Sequence, residues 1–179
     1  GSTSFNHLTV NKSALNLNII GSLDLDGNLN LVSGTLNTSS NAVSLMGNFT
    51  GTPGTFSGAG STVTFDGSGL QTLSGSTTFY AFRALTPNAT LYFTAGTTQY
   101  ILNMIEFRDI TMKSLTNNAT WFIAFQGSTQ TVVNVEAKDS NGWRWNTIRA
   151  DSTSTDLGNN RNWTFGTDTR YWVASAASN

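Results

Sequence analysis

Apolar side chains recur two residues apart in short runs along this chain, with Gly, Ser, Asn and Thr between the runs. Leu15 to Ile20, Leu23-Asp24-Leu25, Leu29-Asn30-Leu31-Val32 and Val43-Ser44-Leu45 follow that spacing. Val63-Thr64-Phe65, Leu91-Tyr92-Phe93 and Val132 to Val135 follow it less strictly. A period of two puts one side of an extended segment in a core and the other in water. No window carries a capped i, i+3, i+4, i+7 stripe, and Tyr100 to Ile105 has room for one helical turn at most. The two prolines, Pro53 and Pro87, sit in turn-like settings. The pattern predicts an all-β chain.

Internal repetition selects among all-β architectures. Phe5-x-x-Leu8 returns much later as Phe79-x-x-Phe82. Ile105-Glu106-Phe107-Arg108-Asp109 is matched by Val135-Glu136-Ala137-Lys138-Asp139, with aliphatic, Glu, basic and Asp aligned. Echoes of this kind suit stacked coils, in which each coil covers the apolar face of its neighbour. The competing architecture is a jelly roll or sandwich, whose strands are also short and closely spaced. The predicted fold is a right-handed parallel β-helix (β-solenoid), one domain over residues 1–179.

Three stretches then carry a resemblance: FNHLTVNKS (5–13), GSLDLDGNLNLVSGTLNTSSNAVSLMGNFTG (21–51) and GTFSGAGSTVTFDGSGLQTLSGSTTFY (54–80). They resemble the repeats of large secreted bacterial cell-surface proteins. LTPNATLYFTAGTTQYI (85–101) is similar to the segment that follows the last such repeat, and 137–165 is similar to the motif that closes these solenoids. The resemblance implies a parallel β-helix on an exported, cell-surface or secreted protein, with no catalytic residue to carry over. It divides the chain into family-like repeat coils at 3–85, divergent coils at 86–136, and a closing coil with cap at 137–179. Between Ile101 and Asn141 larger and more charged side chains, such as Met104, Arg108, Met112 and Trp121, replace the Thr/Gly-rich pattern. That region is where specificity is expected.

Charged residues make up only 11% of the chain, with nine basic and ten acidic side chains and a net charge of −1. Binding nucleic acid needs a basic patch to displace counterions, and no run of basic residues is present. The absence of cysteine removes disulfides and thiolate metal sites. No apolar run approaches the ~18 residues of a membrane span. The Gly1-Ser2 opening is read either as a signal-cleavage product or as an expression scar.

Catalytic chemistry finds little support in the motifs. A β-helix lyase or hydrolase needs carboxylates from neighbouring coils in one groove, and the only aligned acids are Glu106 with Glu136 and Asp109 with Asp139. If the offset between those pairs is a whole number of coils, they form one charged stripe on the exterior. Asp24-Leu25-Asp26-Gly27-Asn28 opens like a calcium loop, but Thr35 stands where the bidentate Glu belongs. His7 is the single histidine and lies in a strand-like run, without a nucleophile elbow elsewhere. No catalytic residue, metal or cofactor is expected. Asn-x-Ser/Thr sequons begin at Asn11, Asn37, Asn48, Asn88, Asn118 and Asn162, a number that the Asn, Ser and Thr content explains by chance.

Aromatic residues are the one concentrated feature. All five tryptophans, Trp121, Trp143, Trp145, Trp163 and Trp172, fall in the last third. In a strand Trp143 and Trp145 point to one side and Arg144 to the other. That trio is a candidate carbohydrate site or interface. Trp163, Phe165 and Trp172 are candidates for capping the open end of the core. Three function classes follow: a structural module that stacks on itself, an adhesin for surface polysaccharide, and, least favoured, a polysaccharide-cleaving enzyme.

Overall fold

A computed structural model of the chain describes residues 2–166. Trp172, one of the expected cap residues, lies outside the described residues.

Each coil is built from three extended segments, because the alternating runs are short and a Gly- or Asn-bearing corner soon turns the chain. Stacking the coils produces three faces, each a column of parallel strands. The first face begins with Ser2–Phe5, Ser22–Leu25, Val43–Leu45 and Thr62–Phe65, and continues through 81–84, 104–108 and Thr129–Val133. Ile148–Ala150 and Trp163–Phe165 close it, joined to the strand below by the Asp151 N–H on the Val132 carbonyl. The second face runs from 8–10 and 29–31 through Phe49–Thr50, Leu70–Ser74, Thr90–Phe93 and Thr111–Ser114 to Glu136–Ala137 and Thr155–Asp156. The third face holds 16–18, 35–37 and Thr55–Ser57, then 77–79, 98–101, Trp121–Phe125 and Ser140–Gly142. All named pairings are parallel, so the architecture is an all-β, parallel β-solenoid of about eight turns, without helix among the described residues. The sandwich alternative, which needs antiparallel hairpins, is excluded.

Register sets the true repeat. Phe5, Leu25, Leu45 and Phe65 are successive partners at one constant spacing. The column then passes through Ala84, Phe107 and Val132, where the steps are unequal and the last two are longer. The echo between Ile105 and Val135 is therefore not a coil repeat. Glu106 pairs with Thr131 on the first face, and Glu136 with Thr111 on the second, so the expected stripe of aligned acids does not form. The echo has another cause: both segments are strands that end at a left-handed corner, Asp109 at φ 55° and Asp139 at φ 59°. Asp and Asn tolerate that conformation better than other non-Gly residues. The Phe5/Phe79 echo also fails, since Phe5 is on the first face and Phe79 on the third. Tyr100 to Ile105 is strand throughout.

Inward positions form one continuous apolar column. Leu23, Leu25, Leu29, Leu31, Val43, Leu45, Val63, Phe65, Leu91 and Phe93 are all buried. Phe49, Phe56, Phe65, Phe79, Phe82 and Phe107 run through several coils with ring centroids 5.1–6.3 Å apart, in edge-on or tilted arrangements that aromatic quadrupoles favour. Further along, Trp121 stacks flat on Phe93 at 3.7 Å. Leu15, in phase with half-buried Leu17 and Ile19, is exposed at 61%, and Ile20, on the opposite side, at 91%.

Corners are held by polar side chains that reach the next coil. His7 Nδ1 accepts the Asn28 N–H at 2.8 Å, Asn28 Oδ1 accepts the Asn48 N–H at 2.8 Å, and Asn48 Oδ1 accepts the Thr72 N–H at 2.7 Å. Beside this ladder stand Gly27, Gly47 and Gly67. A Cβ on Gly47 would lie 2.4 Å from the Gly27 carbonyl carbon, so the close approach of the coils requires glycine there. Asn48→Ala removes one rung and strands the Thr72 N–H. We expect a loss of about 1 kcal/mol in chemical denaturation, and an unchanged midpoint would mean that the ladder contributes nothing.

Candidate functional site

Carboxylates come first, because their grouping discriminates between an enzyme and a scaffold. Glu106 is engaged on both sides: it accepts from Arg83 Nε at 2.8 Å and from Arg108 Nε at 3.1 Å. Glu136 accepts from the Thr111 hydroxyl at 3.0 Å. Buried Asp139 clamps a corner, accepting the Asn118 N–H at 3.1 Å and the Asn159 side-chain amide at 2.8 Å. Among the described residues no group of three or more His, Asp or Glu is placed to hold a metal ion. Asp24 is an outward strand residue and Asn28 a ladder rung, so the calcium-loop-like run serves as strand and corner. His7 likewise is the first rung.

Two carboxyls have displaced titrations. Burial pushes Asp66 above the ordinary carboxylate range; a hydrogen bond at its own backbone partly offsets this, and nearby Asp24 and Asp26 add to the rise. One of its oxygens is buried without a partner. A raised pKa means that the folded chain favours the protonated form, so the ionised group opposes folding at neutral pH and that opposition fades as pH falls. Asp66→Asn should therefore raise the melting temperature at neutral pH and change it little at roughly pH 3. A lower melting temperature at neutral pH would contradict this. Asp151 moves the other way. Its desolvation is outweighed by hydrogen bonds from Ser154, Thr153 and Asn134, which hold it below the usual range. Its contribution is present above the unfolded carboxylate pKa and is lost in acid as the folded pKa is passed.

Aromatic side chains occupy the outer surface of the third face. The residues after Ser140–Gly142 are a turn rather than the strand that the Trp-x-Trp spacing predicts. Trp145 N–H donates to the Trp143 carbonyl at 3.1 Å across Arg144, whose φ is 74°. A three-residue turn of this kind is rare and strained for a non-Gly residue. Arg144 does not point away from the two rings as expected: its guanidinium lies over the Trp143 ring, 4.2 Å from the centroid. Trp143 and Trp145 are exposed at 37% and 41%.

Two further aromatics complete the group. Phe122 meets Trp143 at 5.9 Å and Tyr100 meets Trp145 at 6.2 Å. Register explains how residues so distant in sequence touch, because Tyr100 pairs with Ala124, which precedes the Trp143 turn by one coil. Ala124, the partner of Tyr100, is itself fully buried. Gly96, Thr98, Phe122 and Trp143 line a hollow of about 230 Å³. Arg161 stands one coil further on, bridged to Asn141, which itself pairs with Phe122. Sequence patterns do not mark Tyr100, Phe122 and Arg161 as site residues; the signal is their shared column, visible once the coil length is known.

The remaining candidates sit at the end of the described core. Trp163 and Phe165 pair with Ile148 and Ala150, stack on each other at 5.7 Å, and pack against buried residues. Trp163 Nε1 donates to the Ser140 hydroxyl at 3.0 Å. Met112 and Trp121, from the region where specificity is expected, are core. No protein-family model, curated protein or solved structure matches this chain.

Proposed function

We propose that this chain is a non-catalytic structural module of a secreted or cell-surface protein, a rod-like section or a subunit that stacks end to end into a fibre. The observation that carries this reading is the parallel stack itself. Every named pairing is parallel, from Ser2–Phe5 on Ser22–Leu25 to Ser140–Gly142 on Trp121–Phe125, so each coil is the template for the next. Main-chain pairing of this kind asks for no special side chain. The dispersed carboxylates and the low charge support the same reading, as does the resemblance to bacterial surface repeats.

Small-angle scattering with electron microscopy tests it. The expected particle is elongated, with a length that is a multiple of roughly 4 nm, about eight coils at ~4.8 Å each; filaments select stacking, and single rods select the section of a longer rod. Turnover of a polysaccharide, seen as new chain ends that vanish when Glu106 or Glu136 is replaced, would overturn the reading.

A further inference from the structure

We propose that the third face binds an acidic polysaccharide, with Tyr100, Phe122, Trp143 and Trp145 packing against pyranose rings and Arg144 and Arg161 pairing with uronate carboxylates. This adds a ligand to the rod and does not depend on whether rods stack. The first observation is that Trp143 and Trp145 are held outside by a strained backbone. Arg144 occupies the left-handed region at φ 74°, and the turn it creates presents both indoles to water. Core packing does not explain the strain, since the core of these coils is filled by Phe93, Trp121, Ile123 and Phe125. Backbone strain of this kind persists at ligand sites, where presentation is what the geometry serves.

Charge then chooses the ligand. Residues 98–101, 121–125, 140–146 and 159–162, which make up this part of the face, include Arg144 and Arg161 and no Asp or Glu. Neither arginine forms an ion pair with a described residue; the two ion pairs of the described residues surround Glu106 on the first face. The Arg144 guanidinium lies over the Trp143 ring, 4.2 Å from its centroid, without an ion-pair partner among the described residues, and a guanidinium is the side chain suited to bidentate pairing with a carboxylate. Flat apolar rings match the C–H face of a pyranose, and the Thr98 hydroxyl beside the hollow is a partner for sugar hydroxyls. From Tyr100 to Arg161 the strip crosses three coil steps, roughly 14 Å, enough for a short oligosaccharide. Single-stranded nucleic acid also stacks on aromatics, but it brings a phosphate at every nucleotide, and two arginines on a chain of net charge −1 do not match that.

Affinity electrophoresis of the whole chain, in gels containing polygalacturonate, alginate or hyaluronate, tests the proposal. Carboxyl-reduced polygalacturonate and an oligo-dT are run alongside. We expect retardation by at least one uronate polymer, weaker by about tenfold or more for the carboxyl-reduced form. Trp143→Ala/Trp145→Ala and, separately, Arg144→Gly should each lose about tenfold or more. Glycine suits the left-handed turn, so Arg144→Gly removes the guanidinium without removing the bend. Both variants should keep the far-UV spectrum of the parent and a cooperative melt above the assay temperature, which separates lost binding from lost folding. No retardation by any of the three uronates, equal retardation by the reduced polymer, full retention in the folded variants, or tighter binding of oligo-dT would each overturn the proposal.

Discussion

Leu45→Asp should yield a chain without a cooperative melt, recovered in the insoluble fraction and lacking the far-UV signal of strands. Leu45 is fully buried between Leu25 on the coil below and Phe65 on the coil above. A carboxylate there meets only aliphatic and aromatic carbon, so it must either lose its charge or open the stack. Buried unpaired charges rank among the most damaging substitutions, on the order of 4–5 kcal/mol or more, against a total stability of about 5–15 kcal/mol. Because each coil is the floor of the next, the damage spreads along the axis. Ser44→Lys, one residue away on the outside and next to Asp24, should shift stability by no more than about 0.5 kcal/mol. An unchanged melting temperature for Leu45→Asp would place the core on the wrong side of the strand.

Trp121→Ala should cost about 3–5 kcal/mol in equilibrium denaturation. The side chain is fully buried, stacks on Phe93 with an interplanar angle of 4°, and donates its Nε1–H to the Lys138 carbonyl at 3.0 Å. Truncation empties the largest side-chain volume of the later coils and leaves a carbonyl without its donor. The same change at Trp143, whose ring is partly in water, should cost well under half as much. If the two variants were equally stable, the division of the tryptophans into core and surface would be wrong.

Much of the core is readable from alternation alone. Leu23 and Leu25, Val43 and Leu45, and Val63 and Phe65 face inward as the period-two rule requires. Their constant spacing, reinforced by Gly27, Gly47 and Gly67, is present in the sequence, yet the more conspicuous echoes of Phe5 in Phe79 and of Ile105 in Val135 mask it. Later coils lengthen, as the partners Ala84, Phe107 and Val132 show, which erases the period where Met104 and Trp121 lie. Leu15 keeps the parity of half-buried Leu17 and Ile19 yet stays exposed, because alternation reports which side a residue takes and not whether another layer covers it. At the surface site the sequence marks Trp143 and Trp145, but their spacing predicts a strand in place of the turn. A left-handed φ is written in sequence only when Gly, Asn or Asp occupies the position, and here the residue is Arg144. Tyr100, Phe122 and Arg161 join the site through register, a relation between distant residues that local patterns do not encode.

Cross-strand nuclear Overhauser contacts among Asp24, Ser44, Thr64 and Arg83 bear most directly on the layered architecture. The account predicts contacts in which both partners advance together, Asp24 with Ser44 and Leu25 with Leu45, then Thr64 with Arg83 and Phe65 with Ala84. Partners that advance in one strand while receding in the other would reveal hairpins in place of stacked coils, and would contradict it.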